Sequence, residues 1–166
     1  MARAAAALCA LLAAVAGVAG CGEEDGVADG AVVTAYAEES VCGNLGAFSA
    51  LVRTQAGETL PLKVFCLPDA RGAALGQGVG GGTQVDLARA GANARRASQD
   101  SRTVAYLEAP DPAVGRFTHP ILEAAGIGWL STEATGMRAL RELSDLVAQS
   151  GSSSVRADVR EALGQG

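Results

Sequence analysis

Short runs of apolar residues alternate along the chain with segments in which apolar residues recur at helical spacing. The runs are apolar on both faces, which is typical of strands that are buried inside a sheet. Turn-forming residues such as the Pro68-Asp69 pair separate them from the next segment. The predicted strands are residues 31–36, 62–66, 103–107 and 127–131.

The segments between and after these runs predict helices, each with one apolar face. They are residues 45–57, 85–99, 112–125 and 136–149, and Val155, Val159 and Leu163 mark a last short helix. Pro120 falls inside the third helix and is expected to bend it, and Gly57 is expected to end the first. Residues 70–83 are rich in Gly and show no periodicity, which predicts a flexible loop.

Strands that are apolar on both faces and alternate with helices predict a parallel sheet with helices on both sides. A chain of 166 residues fits one domain. We therefore predict a single Rossmann-like α/β lobe of three layers, with about four parallel strands. Ligands of such sheets bind at the carboxyl ends of the strands, so a site is expected at that edge.

The beginning of the chain has the features of a secretory signal peptide, assigned to residues 1–20. Arg3 precedes an uninterrupted run of small and apolar residues that ends at Gly20. Residues 21–30 then carry four acidic side chains and several Gly, which is typical of a flexible acidic tether. The folded body is expected to span residues 31–166.

Charge and motifs exclude several function classes. The net charge is −5, whereas a nucleic-acid-binding module carries a basic surplus, so nucleic acid is not expected as a partner. Gly76, Gly78 and Gly81 match a dinucleotide-binding spacing, but they lie in a Gly-rich stretch well past the strand, so no cofactor is predicted. The chain has no Gly-x-Ser-x-Gly motif and a single His, His119, so neither catalytic nor metal-binding residues are predicted.

The end of the signal segment carries a more specific motif. Val18-Ala19-Gly20-Cys21 resembles the lipobox of bacterial lipoprotein signal peptides. The resemblance implies cleavage before Cys21 and diacylation of its thiol. Membrane lipid would then hold the exported protein at the extracytoplasmic face of the bacterial cell membrane. An ordinary signal peptide and an uncleaved anchor are the alternatives.

Two cysteines, Cys42 and Cys66, belong to the predicted body. Export would place them in an oxidising compartment, where such a pair usually forms a disulfide. Both lie at or just past the ends of the first two predicted strands, so they share one edge if these strands are neighbours. Redox or metal chemistry is the alternative, but the chain contains no C-x-x-C motif.

Three segments resemble the first lobe of type I periplasmic solute-binding proteins, and most closely the branched-chain amino-acid receptors of ABC importers. They are Ala92-Asn-Ala-Arg-Arg-Ala-Ser-Gln-Asp100, Thr103-Val-Ala-Tyr-Leu107 and Pro120-Ile-Leu-Glu-Ala-Ala-Gly-Ile127. The resemblance extends over roughly residues 31–163. Members of this family carry a second α/β lobe after the fourth strand, whereas here Met137 follows Ser131 almost directly. The resemblance therefore implies a receptor reduced to its first lobe.

The resemblance also implies where a ligand would bind. Ser131 and Thr132 match hydroxyl positions of the family, and Ser40 lies in the loop after the first strand. Glu108 and Asp111 stand where the receptors have a small Gly/Ser loop that binds a carboxylate. The acidic edge predicts a cationic ligand or partner, or no ligand at all. An acid/base pair and two simply solvated acids are the alternatives for Glu108 and Asp111.

Two functions are consistent with these features. The first is a cell-envelope lipoprotein that binds a small polar or amino-acid-like ligand at the carboxyl edge, as in ABC transport. The second is a ligand-free, membrane-anchored domain that contacts another envelope protein. Dimerisation would restore a cleft that the missing lobe removes. An enzyme is not expected.

Overall fold

The computed structural model describes residues 31–70, 85–151 and 153–165. The predicted signal peptide, the tether and Cys21 lie outside the described residues, as does the predicted Gly-rich loop beyond Ala70. None of the helices in the described part is long and apolar enough to cross a membrane.

The described strands form one sheet in the order β2-β3-β1-β4-β5. They are β1 (Val33–Glu38), β2 (Ala47–Arg53), β3 (Thr59–Leu67), β4 (Thr103–Glu108) and β5 (Gly128–Ser131). β1 lies at the centre and pairs in parallel with β3 and β4, and β5 pairs in parallel with β4. Only β2, at one edge, is antiparallel. The predicted α/β class is confirmed, with the four predicted strands parallel to one another and β2 as an antiparallel fifth strand that was not predicted.

Helices cover both faces of the sheet and complete three layers. They are α1 (Glu39–Cys42), α2 (Leu87–Gln99), α3 (Pro112–Ala124), α4 (Met137–Ala148) and α5 (Val155–Ala162). Ala35 of β1 belongs to a core cluster that also contains residues of α4 and α5. Tyr36, the next residue, belongs to a cluster that also contains residues of α2 and α3. Because successive strand residues point to opposite faces, the two helix pairs lie on opposite sides.

The helix predicted at residues 45–57 is wrong, because this segment forms β2 and a hairpin turn. Phe48 and Val52 are buried, whereas Ser49 and Leu51 are exposed, so burial follows the period of a strand. Gly57 has φ +85° and its amide donates to the carbonyl of Thr54, so it forms the turn to β3. A spacing of four residues, as between Phe48 and Val52, fits one face of a helix as well as one face of a strand, and the sequence pattern was therefore interpreted as a helix.

The predicted Cys42–Cys66 disulfide is present, with the two Cα atoms 6.1 Å apart. Cys66 lies near the end of β3, in register with Ala37 of β1. Cys42 ends α1, the single helical turn that follows β1. The neighbouring positions of β1 and β3 therefore bring the two thiols together at the carboxyl edge.

Candidate functional site at the carboxyl edge

Two rows of side chains cross the sheet near its carboxyl edge, on the face that α2 and α3 cover. Residues in register stand side by side, and those two apart along a strand share a face. The edge row is Leu67, Glu38, Glu108 and Ser131, and the row below is Phe65, Tyr36, Tyr106 and Trp129. Two carboxylates therefore end neighbouring central strands above a row of aromatic rings.

Glu108 is the last residue of β4, and it is only 1% exposed. Its Oε2 accepts a hydrogen bond from the Thr118 hydroxyl (3.1 Å). Its Oε1 accepts one from the Ser131 hydroxyl (3.1 Å) and lies 2.6 Å from Nε2 of His119. The alternative of a solvated acid is therefore wrong for Glu108, because β4 continues one residue further than predicted and turns this side chain under α3.

The imidazole of His119 is held in place by its own helix and by β5. It stacks on the Trp129 ring, with the ring centroids 4.3 Å apart and the planes 18° apart. A Cβ atom at Gly115 would lie 2.8 Å from Cε1 of His119, so this glycine leaves room for the imidazole beside α3. The His119 side chain is 29% exposed, so it stands between Glu108 and solvent.

Ser131, His119 and Glu108 do not form a catalytic triad. In a triad the serine hydroxyl bonds to the imidazole, which in turn bonds to the acid. Here the hydroxyl and the imidazole both meet Oε1 of Glu108. The Ser131 hydroxyl therefore donates to a carboxylate rather than to the imidazole, and these contacts satisfy the buried Glu108.

Glu38, the last residue of β1, is 2% exposed. Its two carboxylate oxygens accept hydrogen bonds from the backbone amides of Ala70 (3.4 Å) and Ala109 (3.3 Å). Burial, helped by the charges of Glu108 and Asp69, raises the pKa of Glu38 to about 7, although the two amides act in the opposite direction. Glu38 therefore joins the loops after β3 and β4 and titrates near neutral pH.

The hydroxyl group of Tyr106 is buried and has no hydrogen-bond partner among the described residues. Tyr106 stands one row below both acids on the same face of the sheet, and burial and then the charges of Glu38 and Glu108 raise its pKa. Asn93 of α2 is close enough to act in the opposite direction on this pKa, and its amide donates to the carbonyl of Pro68 (2.8 Å). A buried, unpaired hydroxyl is uncommon and requires an explanation.

The structure brings together two of the five predicted ligand-binding residues, Glu108 and Ser131. The Asp111 carboxylate caps α3, accepting from the amide of Ala113 (2.9 Å). Thr132 is buried and donates to Glu142 of α4 (2.8 Å). The backbone amide of Ser40 donates to Asp69 (2.8 Å), and its side chain is exposed.

Four residues of this cluster were not among the predicted ligand-binding residues: Glu38, Tyr106, Thr118 and His119. The alternation of side chains within strands was an available signal, because Glu38 and Glu108 each follow a Tyr by two residues. Thr118 and His119 had no such signal, since only the packing of α3 brings them to Glu108.

A cleft of about 400 Å³ opens at the same edge of the sheet, beside the disulfide. Its lining residues are Glu39, Gly43, Gly46, Cys66, Leu67 and Pro68. One of them, Leu67, is the register partner of Glu38, so the cleft and the buried acids share this edge of the sheet. Among the residues that the structure describes, no three His, Cys, Asp or Glu side chains are grouped to hold a metal ion.

Glu38→Gln is expected to flatten the pH dependence of stability. The folded pKa of about 7 exceeds the unfolded value of 4.5, so the folded state binds more protons and loses stability as pH rises between these values. The shift corresponds to at most about 3 kcal/mol. Urea unfolding at pH 5 and pH 8 should show Glu38→Gln gaining stability over wild type at pH 8 but not at pH 5.

The matched control for this experiment is Glu39→Gln, because Glu39 is the adjacent acid and is exposed. Its difference from wild type should be small and should not change between the two pH values. Parallel pH curves for wild type and Glu38→Gln would contradict the assignment of the titration to Glu38.

Fold and site together define an α/β protein with a buried acidic cluster at the carboxyl edge of a mostly parallel sheet. Comparison with protein families, with curated proteins and with solved structures found no match to this chain.

Proposed function

We propose that the chain is an exported, lipid-anchored lobe of the solute-binding type, which binds a small polar ligand at the carboxyl edge of its sheet. The observation that carries the proposal is the polar cluster of Glu38, Tyr106 and Glu108 beside an open cleft at that edge. Ligands of open α/β sheets bind outside the carboxyl ends of the strands, so the cluster is in the expected place.

The lipid anchor rests on the lipobox-like sequence before Cys21. Residues 21–30 would connect this lipid to β1, which begins at Val33. Such a tether would hold the lobe close to the membrane, where a transporter or sensor component is needed. Mass spectrometry of the mature chain from bacterial membranes tests the anchor, by reporting loss of residues 1–20 and acylation of Cys21.

A thermal-unfolding screen of the full chain in detergent tests ligand binding. The panel contains amino acids, polyamines and small neutral or anionic metabolites. A ligand at one hundred times its Kd adds about 2.7 kcal/mol of stability, which is a shift of several degrees for a domain of this size. A reproducible shift with one chemical class supports the proposal, and a flat response over the whole panel contradicts it.

A ligand-free interaction domain is the second candidate function. It is favoured by the exposed apolar side chains on one face of the β2–β3 hairpin, where Leu51 is 75% and Phe65 is 39% exposed. A flat ligand screen together with a stable complex that Leu51→Asp abolishes would favour this second function.

A further inference from the structure

We infer that Glu38, Tyr106 and Glu108 bind the ammonium group of a small organic amine. The inference rests on the proposed function and names the chemical class of its ligand. An ammonium group has three N–H donors and one positive charge. The three side chains offer two carboxylates and one hydroxyl oxygen, which match those donors in number and sign.

The Tyr106 hydroxyl is the observation that points to a ligand. It is fully buried, belongs to the row directly below both acids on the same face of the sheet, and has no hydrogen-bond partner among the described residues. Leaving a buried polar group unpaired is costly, whereas an acidic cluster with every group satisfied would need no ligand. An N–H donor placed between the acids would give the hydroxyl oxygen its missing bond.

The charge of the cluster favours a cation over the other ligand classes. Among the described residues no Lys or Arg forms a salt bridge with Glu38, and the hydrogen bonds that this part of the chain gives Glu38 are two long ones from backbone amides. Two adjacent buried carboxylates repel a ligand carboxylate. An ammonium group would be stabilised by both, and its N–H groups would form charge-assisted hydrogen bonds.

The surroundings provide space for the rest of the molecule. Ser131 is exposed and His119 is partly exposed, and both contact Glu108, so these two side chains separate the cluster from solvent. The cleft of about 400 Å³ reaches Leu67, the register partner of Glu38. Its Leu67, Pro68 and Cys66 lining suits a short carbon chain.

Amine binding should depend on pH, because the ammonium group replaces the proton of Glu38. The groups that face Glu38 are Glu108 and Asp69, and beyond them His119 contacts Glu108 and Arg89 contacts the Asp69 carbonyl. Glu38 is protonated below its pKa of about 7. Affinity should therefore fall about tenfold for each pH unit below that value, and level off above it.

The test is calorimetric titration of the full chain in detergent with butylammonium chloride and putrescine at pH 8 and pH 6. Butanol has the same carbon chain without charge, tetramethylammonium has the charge without N–H donors, and MgCl₂ tests a metal ion. We expect the two amines to bind at least tenfold more tightly than any of these, and to bind more weakly at pH 6.

Glu38→Gln and Tyr106→Phe should each weaken amine binding at least tenfold, whereas Glu123→Gln, at an exposed acid of α3 outside the cleft and the cluster, should leave it unchanged. Tyr106→Phe removes only the unpaired hydroxyl, so its unfolding temperature without ligand should equal or exceed that of wild type. Wild-type amine affinity in both Glu38→Gln and Tyr106→Phe would overturn the inference. Tighter binding of Mg²⁺ than of the amines would overturn it as well.

The ligand screen separates this inference from the proposed function. A response to neutral or anionic solutes but not to amines would overturn the ammonium site and leave a ligand-binding lobe. Failure of every solute to bind would overturn the proposed function itself.

Discussion

Glu108→Ala is expected to lower the free energy of unfolding by about 3 kcal/mol. The substitution removes a buried side chain at the end of β4 and leaves a cavity there. It also removes the acceptor of the Thr118 and Ser131 hydroxyls and the partner of the His119 imidazole. Urea unfolding at pH 7 measures the loss.

Two further variants make the Glu108 experiment specific. Glu108→Gln keeps the shape and one acceptor oxygen, so it should lose about 1 kcal/mol. Glu133→Ala removes an exposed acid near the end of β5 and should change stability by less than about 0.5 kcal/mol. Wild-type stability in Glu108→Ala would show that the buried carboxylate is not needed to hold α3 on the sheet.

Replacing both Cys42 and Cys66 by Ala is expected to cost a similar amount, about 3 kcal/mol. The bridge spans 24 residues, and its removal restores the conformational entropy of that loop in the unfolded chain. The unfolding temperature should fall by roughly 10 °C for a domain of this size.

Reduction of the wild-type protein provides the matched comparison. Its unfolding temperature should fall to that of the double Ala variant, and the reductant should not affect the variant. Alkylation of both Cys42 and Cys66 in denatured, unreduced protein, located by peptide mass spectrometry, would show instead that these two cysteines are not bonded.

The strands buried on both faces were predictable because each is a run of consecutive apolar residues. The buried residues of β4, for example, form one run that ends close to the predicted boundary. Phe48 and Val52 fit the spacing of a helix as well as that of a strand. Pairing with β3 decides between the two, and that contact is not visible in the local pattern.

The candidate site was predictable in position but not in composition. The alternation of strands and helices predicts a parallel sheet and therefore a site at its carboxyl edge. Glu108 and Ser131 were assigned to that site because they lie at the ends of predicted strands. Glu108 was nonetheless expected to lie in a loop, because a Glu side chain is rarely buried and its appearance in a sequence usually marks the point where a buried strand has ended. Its burial depends on Thr118 and His119, which reach it only after α3 packs on β4 and β5.

The Cys42–Cys66 bond also has a mechanical consequence. The ring it closes contains all of β2 and all of β3 except Leu67. Force applied to the two ends of the chain passes through the sulfur atoms and bypasses the 24-residue ring. The fully stretched chain is therefore shorter by roughly 80 Å than it would be without the disulfide. If Cys21 tethers one end to a membrane, tension would pull on the rest of the lobe while the hairpin stays out of the load path.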